Sequence, residues 1–370
     1  MSYTSNVTTR RAFFAVPLLA ACSRRGASGF RGYAFVANQE GQAVAAVDLE
    51  AMAVARHIAL DSAPSQVVAA QARPSVYALT PGTGAVHEIQ ADRLSFTRKI
   101  AVASTALSMQ IAPDERALYV LASQPRSLVR VGLDSRRVEW RIALPEDPVD
   151  FALSSDGKTA AVSSSSTVRL IDLTARRLSD PLGTGEFGTV RFISDGRTLI
   201  AADRAGRRLS LYDVASARLI CHLPLSIRRD NLCFNSDGGQ LFVTGEGMDA
   251  VVIVYPYHTP EVAETVLAGH APGAMAASEA FLFIVSPQAG GVSIMEIATR
   301  RVIAVVSVGR DPGFVAITPD DQYALVLNRK SGDVAVLRIG TITKNRNRFA
   351  ALLTVIPVGS GPVSAAVRGV

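Results

Sequence analysis

The chain has 370 residues, of which 48% are hydrophobic and 19% charged, with three cysteines and one tryptophan. This composition excludes a largely disordered chain and a small disulfide scaffold, and no apolar run reaches the ~18 residues that a membrane-spanning helix needs. The formal charge of +6 comes from scattered arginines, and only 6% of residues are aromatic. We expect no nucleic-acid partner, because such binders combine a basic face with stacking aromatic side chains.

Residues 1–21 are predicted to be an export signal. Arg10 and Arg11 precede an apolar stretch, and a basic segment followed by an apolar one is typical of a secretory leader. The twin arginines resemble a Tat signal, and LAAC ending at Cys22 resembles the lipobox of bacterial lipoproteins. We therefore expect export by the Tat or Sec route, a lipid anchor at Cys22 that joins the protein to the membrane, and a linker over 22–31. The expected location is the periplasm or the cell surface. A plain Sec leader and a mis-assigned start are the alternatives.

Apolar runs recur along the rest of the chain at a nearly constant period. The steps between their centres are 42, 42, 42, 39, 42, 41 and 42 residues. Aspartates five residues before several centres keep the same register, and glycine follows three of them. The centres are Phe35, Tyr77, Tyr119, Ala161, Ile200, Phe242, Phe283 and Leu325, and the aspartates are Asp114, Asp156, Asp195, Asp237 and Asp320. A period near 40 residues is typical of propeller repeats.

Each repeat is predicted to contain four β-strands. Asp-Gly between two apolar runs favours a hairpin, because glycine accepts a positive φ and aspartate tolerates it. Segments such as TVRLID and RLSLYD alternate apolar and polar side chains, as strands with one buried face do. The sequence therefore predicts an all-β chain, with one eight-bladed β-propeller of four-stranded antiparallel blades over residues 32–370.

The two ends of the repeat region predict how the ring closes. The first unit begins at Tyr33 with its second strand, whereas VSAAVR after the last unit supplies a surplus innermost strand. We expect this C-terminal strand to complete the N-terminal blade, because a closed ring leaves few exposed sheet edges. A seven-bladed ring with one irregular unit is the alternative.

The repeats resemble the YVTN family of β-propellers. The matching pieces are AFVAN, LFVTG and ALVLN at the second strands, and VGRDP and VGSGP before the last two innermost strands. Asn38 and Asn328 keep the asparagine of the family motif. The resemblance covers residues 32–370 and implies a propeller fold. Relatives of this type include cell-envelope binding proteins, seven-bladed lactonases, and eight-bladed domains that hold or help to make d1 haem.

The single tryptophan, Trp140, separates the chain from two other propeller families. Quinoprotein dehydrogenases carry a tryptophan motif in blade after blade, and WD40 proteins carry Trp-Asp, so neither fits this count. The count of three cysteines predicts no disulfide framework. Cys221 and Cys233 fall on an outermost and an innermost strand of different blades, and we expect them to remain unpaired.

Candidate ligand-binding residues lie on the loops that enter the innermost strands. By the geometry of the family, these loops share one face with the loops between second and third strands. His270 is the histidine on such a loop and is a candidate axial haem ligand, with a solvated loop histidine as the alternative. Arg229 replaces a small or apolar residue of the repeat, and its guanidinium suits a carboxylate or phosphate. The other charged candidates are Glu146, Asp147, Glu186, Asp230, Arg310 and Asp311.

No pattern in the sequence identifies a catalytic residue, a metal site or a required cofactor. We therefore expect a monomeric binding or scaffold module, not an enzyme, whose rim accepts a protein, a glycan or a small ligand. A tetrapyrrole-binding or biosynthetic propeller of the d1-haem type, or a lactonase-like hydrolase, is the alternative.

Overall fold

The computed structural model describes residues 30–225, 231–257, 259–344 and 351–369, which form eight antiparallel sheets arranged as blades. The first four blades are built from these strands: β1 (Gly32–Asn38), β2 (Ala43–Asp48) and β3 (Ala53–Ala59); β4 (Gln66–Ala69), β5 (Ser75–Thr80), β6 (Ala85–Gln90) and β7 (Ser95–Ala101); β8 (Thr105–Ile111), β9 (Ala117–Gln124), β10 (Arg126–Gly132) and β11 (Arg137–Ala143); β12 (Pro148–Leu153), β13 (Thr159–Ser164), β14 (Thr167–Asp172), β15 (Arg177–Leu178) and β16 (Gly183–Thr184).

The last four blades repeat the same order from the innermost to the outermost strand. They contain β17 (Phe187–Phe192), β18 (Thr198–Asp203), β19 (Arg208–Asp213) and β20 (Arg218–Pro224); β21 (Asn231–Phe234), β22 (Leu241–Thr244), β23 (Ala250–Tyr255) and β24 (Glu261–Leu267); β25 (Met275–Ala277), β26 (Phe281–Ser286), β27 (Gly291–Glu296) and β28 (Arg301–Ser307); β29 (Pro312–Ile317), β30 (Tyr323–Asn328), β31 (Asp333–Arg338) and β32 (Leu352–Pro357); and β33 (Pro362–Gly369), which belongs to blade 1. A 3₁₀ turn, Pro81–Thr83, and a short helix, α1 (Ile339–Lys344), complete the described elements.

The ring closes as the sequence predicts. The C-terminal strand β33 pairs antiparallel with β1, in a register that sets Gly32 opposite Gly369, and it becomes the innermost strand of blade 1. Each innermost strand contacts those of the two neighbouring blades, and β33 contacts both β4 and β29. The eight-bladed prediction is therefore confirmed, and the seven-bladed alternative is wrong.

The irregular step of 39 residues falls in blade 4. Its outermost strand is broken into two short pieces, β15 and β16, which pair with different ends of β14. The shorter repeat therefore interrupts the outermost strand of blade 4, but the blade itself is present.

Each of the eight interfaces between blades holds one cluster of buried apolar side chains. Phe35 packs with Val67 between blades 1 and 2, and Phe283 packs with Val326 between blades 7 and 8. Both phenylalanines are fully buried. Burial of one such side chain contributes about 1.5–3 kcal/mol, so the apolar excess of the composition holds the blades together.

The Asp-Gly turns form as predicted on the face opposite the candidate ligand loops. Gly157 and Gly196 have φ values of 68° and 69°, in the left-handed region that favours glycine. The preceding aspartates accept a hydrogen bond from the backbone N–H two residues on, at 3.0 Å for Asp156 and 2.8 Å for Asp195. These turns join the innermost strand to the second strand in successive blades.

The two described cysteines are unpaired, as predicted. Cys221 lies on β20 and Cys233 on β21, in neighbouring blades, and each side chain is half-buried. Burial raises the pKa of the Cys233 thiol to about 11, so this side chain remains a neutral thiol at physiological pH.

Candidate functional site

The loops that enter the innermost strands and the loops between second and third strands lie together on one face of the ring, which we call the rim. Backbone hydrogen bonds join the two sets of loops within a blade. Gly41 donates to the Ser360 carbonyl at 3.2 Å, and Lys330 donates to the Arg310 carbonyl at 3.2 Å. The rim loops are therefore fixed by their own backbone contacts, and side chains carried on them are held in place.

His270 lies on the rim at the junction of blades 6 and 7. Its Nδ1 is 3.2 Å from Oδ2 of Asp249, which lies on the loop between the second and third strands of blade 6. Gln288, on the corresponding loop of blade 7, lies in the same groove and adds a small contribution that raises the pKa of the imidazole. The Asp249 carboxylate raises the pKa of His270. The pKa of Asp249 is lowered, chiefly by a hydrogen bond from the backbone N–H of Ala271 and also by His270.

A groove of about 490 Å³ opens beside His270, and we call it the 6/7 groove. Its walls include Glu246 and Met248 from blade 6 and Pro272 from blade 7. The side chain of His270 is two-thirds exposed to solvent, and no Phe, Tyr or Trp is among the described residues that line the groove. The groove therefore suits a polar ligand better than a large aromatic ring system.

A second groove of about 770 Å³, the 7/8 groove, lies between blades 7 and 8 and shares Gln288 with the first. Arg310, Asp311 and Lys330 line its blade 8 side. The Arg310 N–H donates to Oγ of Ser331 at 2.7 Å, and the Arg329 N–H donates to the Asp311 carbonyl at 2.9 Å. The loop that carries Arg310 is thus tied to the loop that carries Lys330.

Three cations of blade 8 are exposed on this part of the rim: Arg310, Arg329 and Lys330. None of the three forms an ion pair with any residue in the described part of the chain, and Arg310 makes one side-chain hydrogen bond, to the Lys330 carbonyl at 3.4 Å. A Cβ on Gly313 would lie 2.7 Å from Cδ of Arg329, so the stem of this arginine crosses the start of the innermost strand. With one carboxylate, Asp311, beside three cations, this part of blade 8 presents an excess of positive charge to solvent.

Asp147 and Glu146 lie on the rim of blade 4, away from these grooves. Asp147 forms an exposed ion pair with Nε of Arg126 at 2.9 Å. Glu146 accepts hydrogen bonds from Ser164, from Ser166 at 2.5 Å and from Thr167 at 2.8 Å. Desolvation opposes these bonds, but the hydroxyl groups and Arg169 prevail and lower the pKa of Glu146 to about 2. Glu146 holds its own loop together.

The other predicted residues are spread around the ring or lie outside the described residues. Glu186 is exposed on blade 5, where its carbonyl accepts the Arg204 N–H at 2.8 Å. Of the predicted rim residues, the structure brings together His270, Arg310 and Asp311, on adjacent grooves. Arg229, Asp230, Cys22, Arg10 and Arg11 fall outside the described ranges.

Sequence reasoning missed Asp249, Gln288, Arg329 and Lys330. All four lie on loops between second and third strands, which the sequence marks only as short and polar. One signal was present in the sequence, the adjacent cations Arg329 and Lys330. Lysine is rare in this chain, with four in all, and Lys330 lies on the rim beside Arg310.

Two further features bear on the class of site. Within the described ranges, no three His, Cys, Asp or Glu side chains are grouped closely enough to hold a metal ion. The same ranges contain no helix that is long and apolar enough to cross a membrane.

No family model matches the chain. A stretch of 138 residues, 35% of the chain, is 28% identical to a protein of Mycobacterium tuberculosis described as a seven-bladed β-propeller. The match spans 33% of the length of that protein. It supports a relationship to propeller proteins over about a third of each chain.

Solved structures similar to this chain are also propellers. Dihydro-heme d1 dehydrogenase NirN, in complex with DHE, matches with a TM-score of 0.73 and 12% identity, over 97% of this chain and 77% of that one. Apo AztD from Citrobacter koseri matches with a TM-score of 0.69 and 12% identity, over 91% and 98% of the two chains. At these identities the likeness establishes the β-propeller fold alone.

Proposed function

We propose that this protein is a non-catalytic binding module that accepts an anionic ligand, bearing carboxylate or phosphate groups, at the rim of blades 7 and 8. The observation that carries the proposal is the 7/8 groove, in which Arg310 and Lys330 face solvent without an ionic partner among the described residues. Guanidinium groups bind carboxylates and phosphates through two parallel hydrogen bonds, and ammonium groups add a point charge.

The adjoining 6/7 groove adds a titratable cation to this surface. Because Asp249 raises the pKa of His270, the imidazole keeps its proton to higher pH than an isolated histidine. A ligand that spans Gln288 would meet Arg310 at one end and His270 at the other. All of these groups are exposed, so the interaction is expected to weaken as salt screens it.

Isothermal titration calorimetry tests the proposal with citrate, inorganic phosphate and tetra-aspartate as probes at low ionic strength. We expect saturable binding of at least citrate, and about tenfold weaker binding by the Arg310→Gln/Lys330→Gln variant, since each lost exposed ion pair costs up to about 1 kcal/mol and tenfold corresponds to about 1.4 kcal/mol. The matched control is Arg218→Gln, an exposed arginine at the start of β20. Absence of binding by all three probes, or equal binding by the double variant, contradicts the proposal.

A tetrapyrrole carrier is the second candidate. It is favoured by the same two cations, which could pair with the carboxylate side chains of a tetrapyrrole in the larger groove. An absorption titration with haem tests it, and a Soret shift that saturates and is lost in the double variant would support it. A spectrum that remains that of free haem removes this candidate.

We further infer that the repeats are of the YVTN type and that the module is exported and anchored by a lipid at Cys22. The recurring sequence motifs at the second strands and before the last two innermost strands support the first inference. The order of basic and apolar segments before Cys22 supports the second. Metabolic labelling with a fatty acid tests the anchor. Label should enter the wild-type protein and not the Cys22→Ser variant, and absence of label in both contradicts it.

A further inference from the structure

Three blades carry an arginine with a positive φ in the turn between their third and fourth strands. These residues are Arg136, Arg176 and Arg300, with φ values of 54°, 55° and 56°. In two of them the side chain reaches an acid of the preceding blade. Arg136 Nε is 3.4 Å from Oε2 of Glu88, and Arg300 Nη1 is 3.0 Å from Oε2 of Glu264.

Arg176 has no such acid to meet. In blade 2 the acid is Glu88, which lies opposite Tyr77 on the neighbouring strand. The equivalent position of blade 3, opposite Tyr119, holds Arg130 instead of an acid. Arg130 forms an ion pair with Glu139 of its own blade. Arg176 instead stands over the ring of Trp140, 5.6 Å from its centroid, and forms no ion pair within the described ranges.

Where blade 3 has Arg130 in place of the acid, a cavity of about 310 Å³ lies between blades 3 and 4. It is on the face of the ring opposite the rim, and we call it the 3/4 groove. Trp140 and Tyr119 form its aromatic wall, in an edge-on contact with ring centroids 5.8 Å apart. Its volume is at the lower end of the range of about 300–1,000 Å³ for small-ligand sites.

Both acidic and basic side chains line the 3/4 groove. Asp114 and Asp156 each use Oδ1 to accept backbone N–H groups of their turns, from Arg116 and Lys158 respectively. Neither Oδ2 has a hydrogen-bond partner among the described residues. The two free carboxylate oxygens can accept hydrogen bonds from a ligand and Arg176 can donate them, whereas Arg130 is already paired with Glu139.

This balance selects the class of ligand. The groove is lined by two carboxylates and two guanidinium groups, and Arg130 is already paired with Glu139, so there is no excess of positive charge to hold a simple anion. A polyhydroxylated molecule offers both donors and acceptors, and its apolar C–H face packs against aromatic rings. We propose that the 3/4 groove binds a neutral saccharide of one or two rings, with Asp114 and Asp156 accepting from its hydroxyl groups and Arg176 donating to them.

Tryptophan fluorescence tests this proposal directly, because Trp140 is the one tryptophan of the chain and lines this groove. The full chain is titrated with glucose, N-acetylglucosamine, cellobiose and chitobiose, with citrate as a charged comparison. At least one saccharide is expected to give a saturable change in emission, and citrate none.

The Asp114→Asn/Asp156→Asn variant should weaken that saccharide by about tenfold. Asparagine keeps the Oδ1 acceptor and therefore the turn, while it replaces the free Oδ2 with a donor. The matched control is Asp195→Asn/Asp237→Asn, which changes the same turn position in other blades, where Oδ1 accepts at 2.8 and 2.7 Å. Far-UV circular dichroism and melting temperatures confirm that both variants fold.

The proposal is overturned if no saccharide changes the emission, if only citrate does, or if the two double variants bind equally. Each of these outcomes is separable from the rim proposal, because the Arg310→Gln/Lys330→Gln variant leaves the 3/4 groove intact.

Discussion

Asn328 of blade 8 donates a hydrogen bond from Nδ2 to the Val308 carbonyl, 3.1 Å away on the segment that connects blade 7 to blade 8. Asn38 of blade 1 makes the same bond, at 2.5 Å, to the Val358 carbonyl on the segment that connects blade 8 to blade 1. Both asparagines are at most 1% exposed and end a second strand. A Cβ on Gly309 would lie 2.5 Å from the Asn328 amide, so the asparagine requires the glycine beside it. This explains why the sequence keeps asparagine in the two units that also keep Val-Gly before the innermost strand.

The contact between Asn328 and Gly309 predicts non-additive stability changes. Asn328→Ala removes a buried hydrogen bond and should lower the free energy of unfolding by about 1–3 kcal/mol. Gly309→Ala should also destabilise, because its methyl group meets the amide. In the double variant that methyl group fills space the amide has left, so the combined loss should be smaller than the sum. Guanidinium unfolding of the four proteins measures this, and strictly additive losses would contradict the coupling.

The architecture was predictable because it depends on local patterns that repeat. The Asp-Gly turns at Asp156 and Asp195 and the surplus strand after Pro362 each leave a signal within a few residues of sequence. The candidate site was not predictable in the same way. His270 meets Asp249 from another blade, and both grooves depend on how far neighbouring loops stand apart. Single substitutions at repeat positions, such as Arg130 where blade 2 has Glu88, change an interface without disturbing the period.

Removing the C-terminal strand should open the ring. A chain that ends before Pro362 leaves β1 without its partner and exposes an unpaired edge beside the buried Phe35. We expect such a chain to associate, since unpaired edges recruit other strands. Light scattering after size exclusion measures this, and a synthetic peptide of residues 361–370 should restore a monomer by adding the missing strand. A monomeric truncated chain with an unchanged melting temperature would show that closure is unimportant.

Glu146 should make the protein sensitive to acid. Its pKa in the folded protein is about 2, below the value of 4.5 for an ordinary glutamate, so its bonds stabilise the fold above pH 4.5 and are lost as the pH falls towards 2. Glu146→Gln should lower the free energy of unfolding at pH 7 by roughly 1–2 kcal/mol, allowing for partial exposure of the carboxylate. The difference between the two proteins should vanish towards pH 2 in urea unfolding. A constant difference across this range would contradict the assignment.

His270 should titrate above the ordinary histidine value of 6.5, because the Asp249 carboxylate stabilises the imidazolium. Proton NMR of the Cε1–H signal measures this pKa, with His270→Gln for assignment. Asp249→Asn should bring the value down, while burial keeps the pKa of His87 below 6.5 in both proteins. Anion binding at the 6/7 groove should therefore be strongest below the His270 pKa and decline above it. The same His270 pKa in the wild-type protein and in the Asp249→Asn variant would contradict this pairing.

The position of a bound anion is the most direct test of the rim as a binding surface. A crystal structure of the full chain with citrate, at about ten times the dissociation constant from calorimetry, should show a carboxylate of the ligand within hydrogen-bond distance of the Arg310 guanidinium and close to the Lys330 ammonium, in the 7/8 groove. Citrate bound elsewhere on the ring, with this groove holding only solvent, would contradict the proposed function.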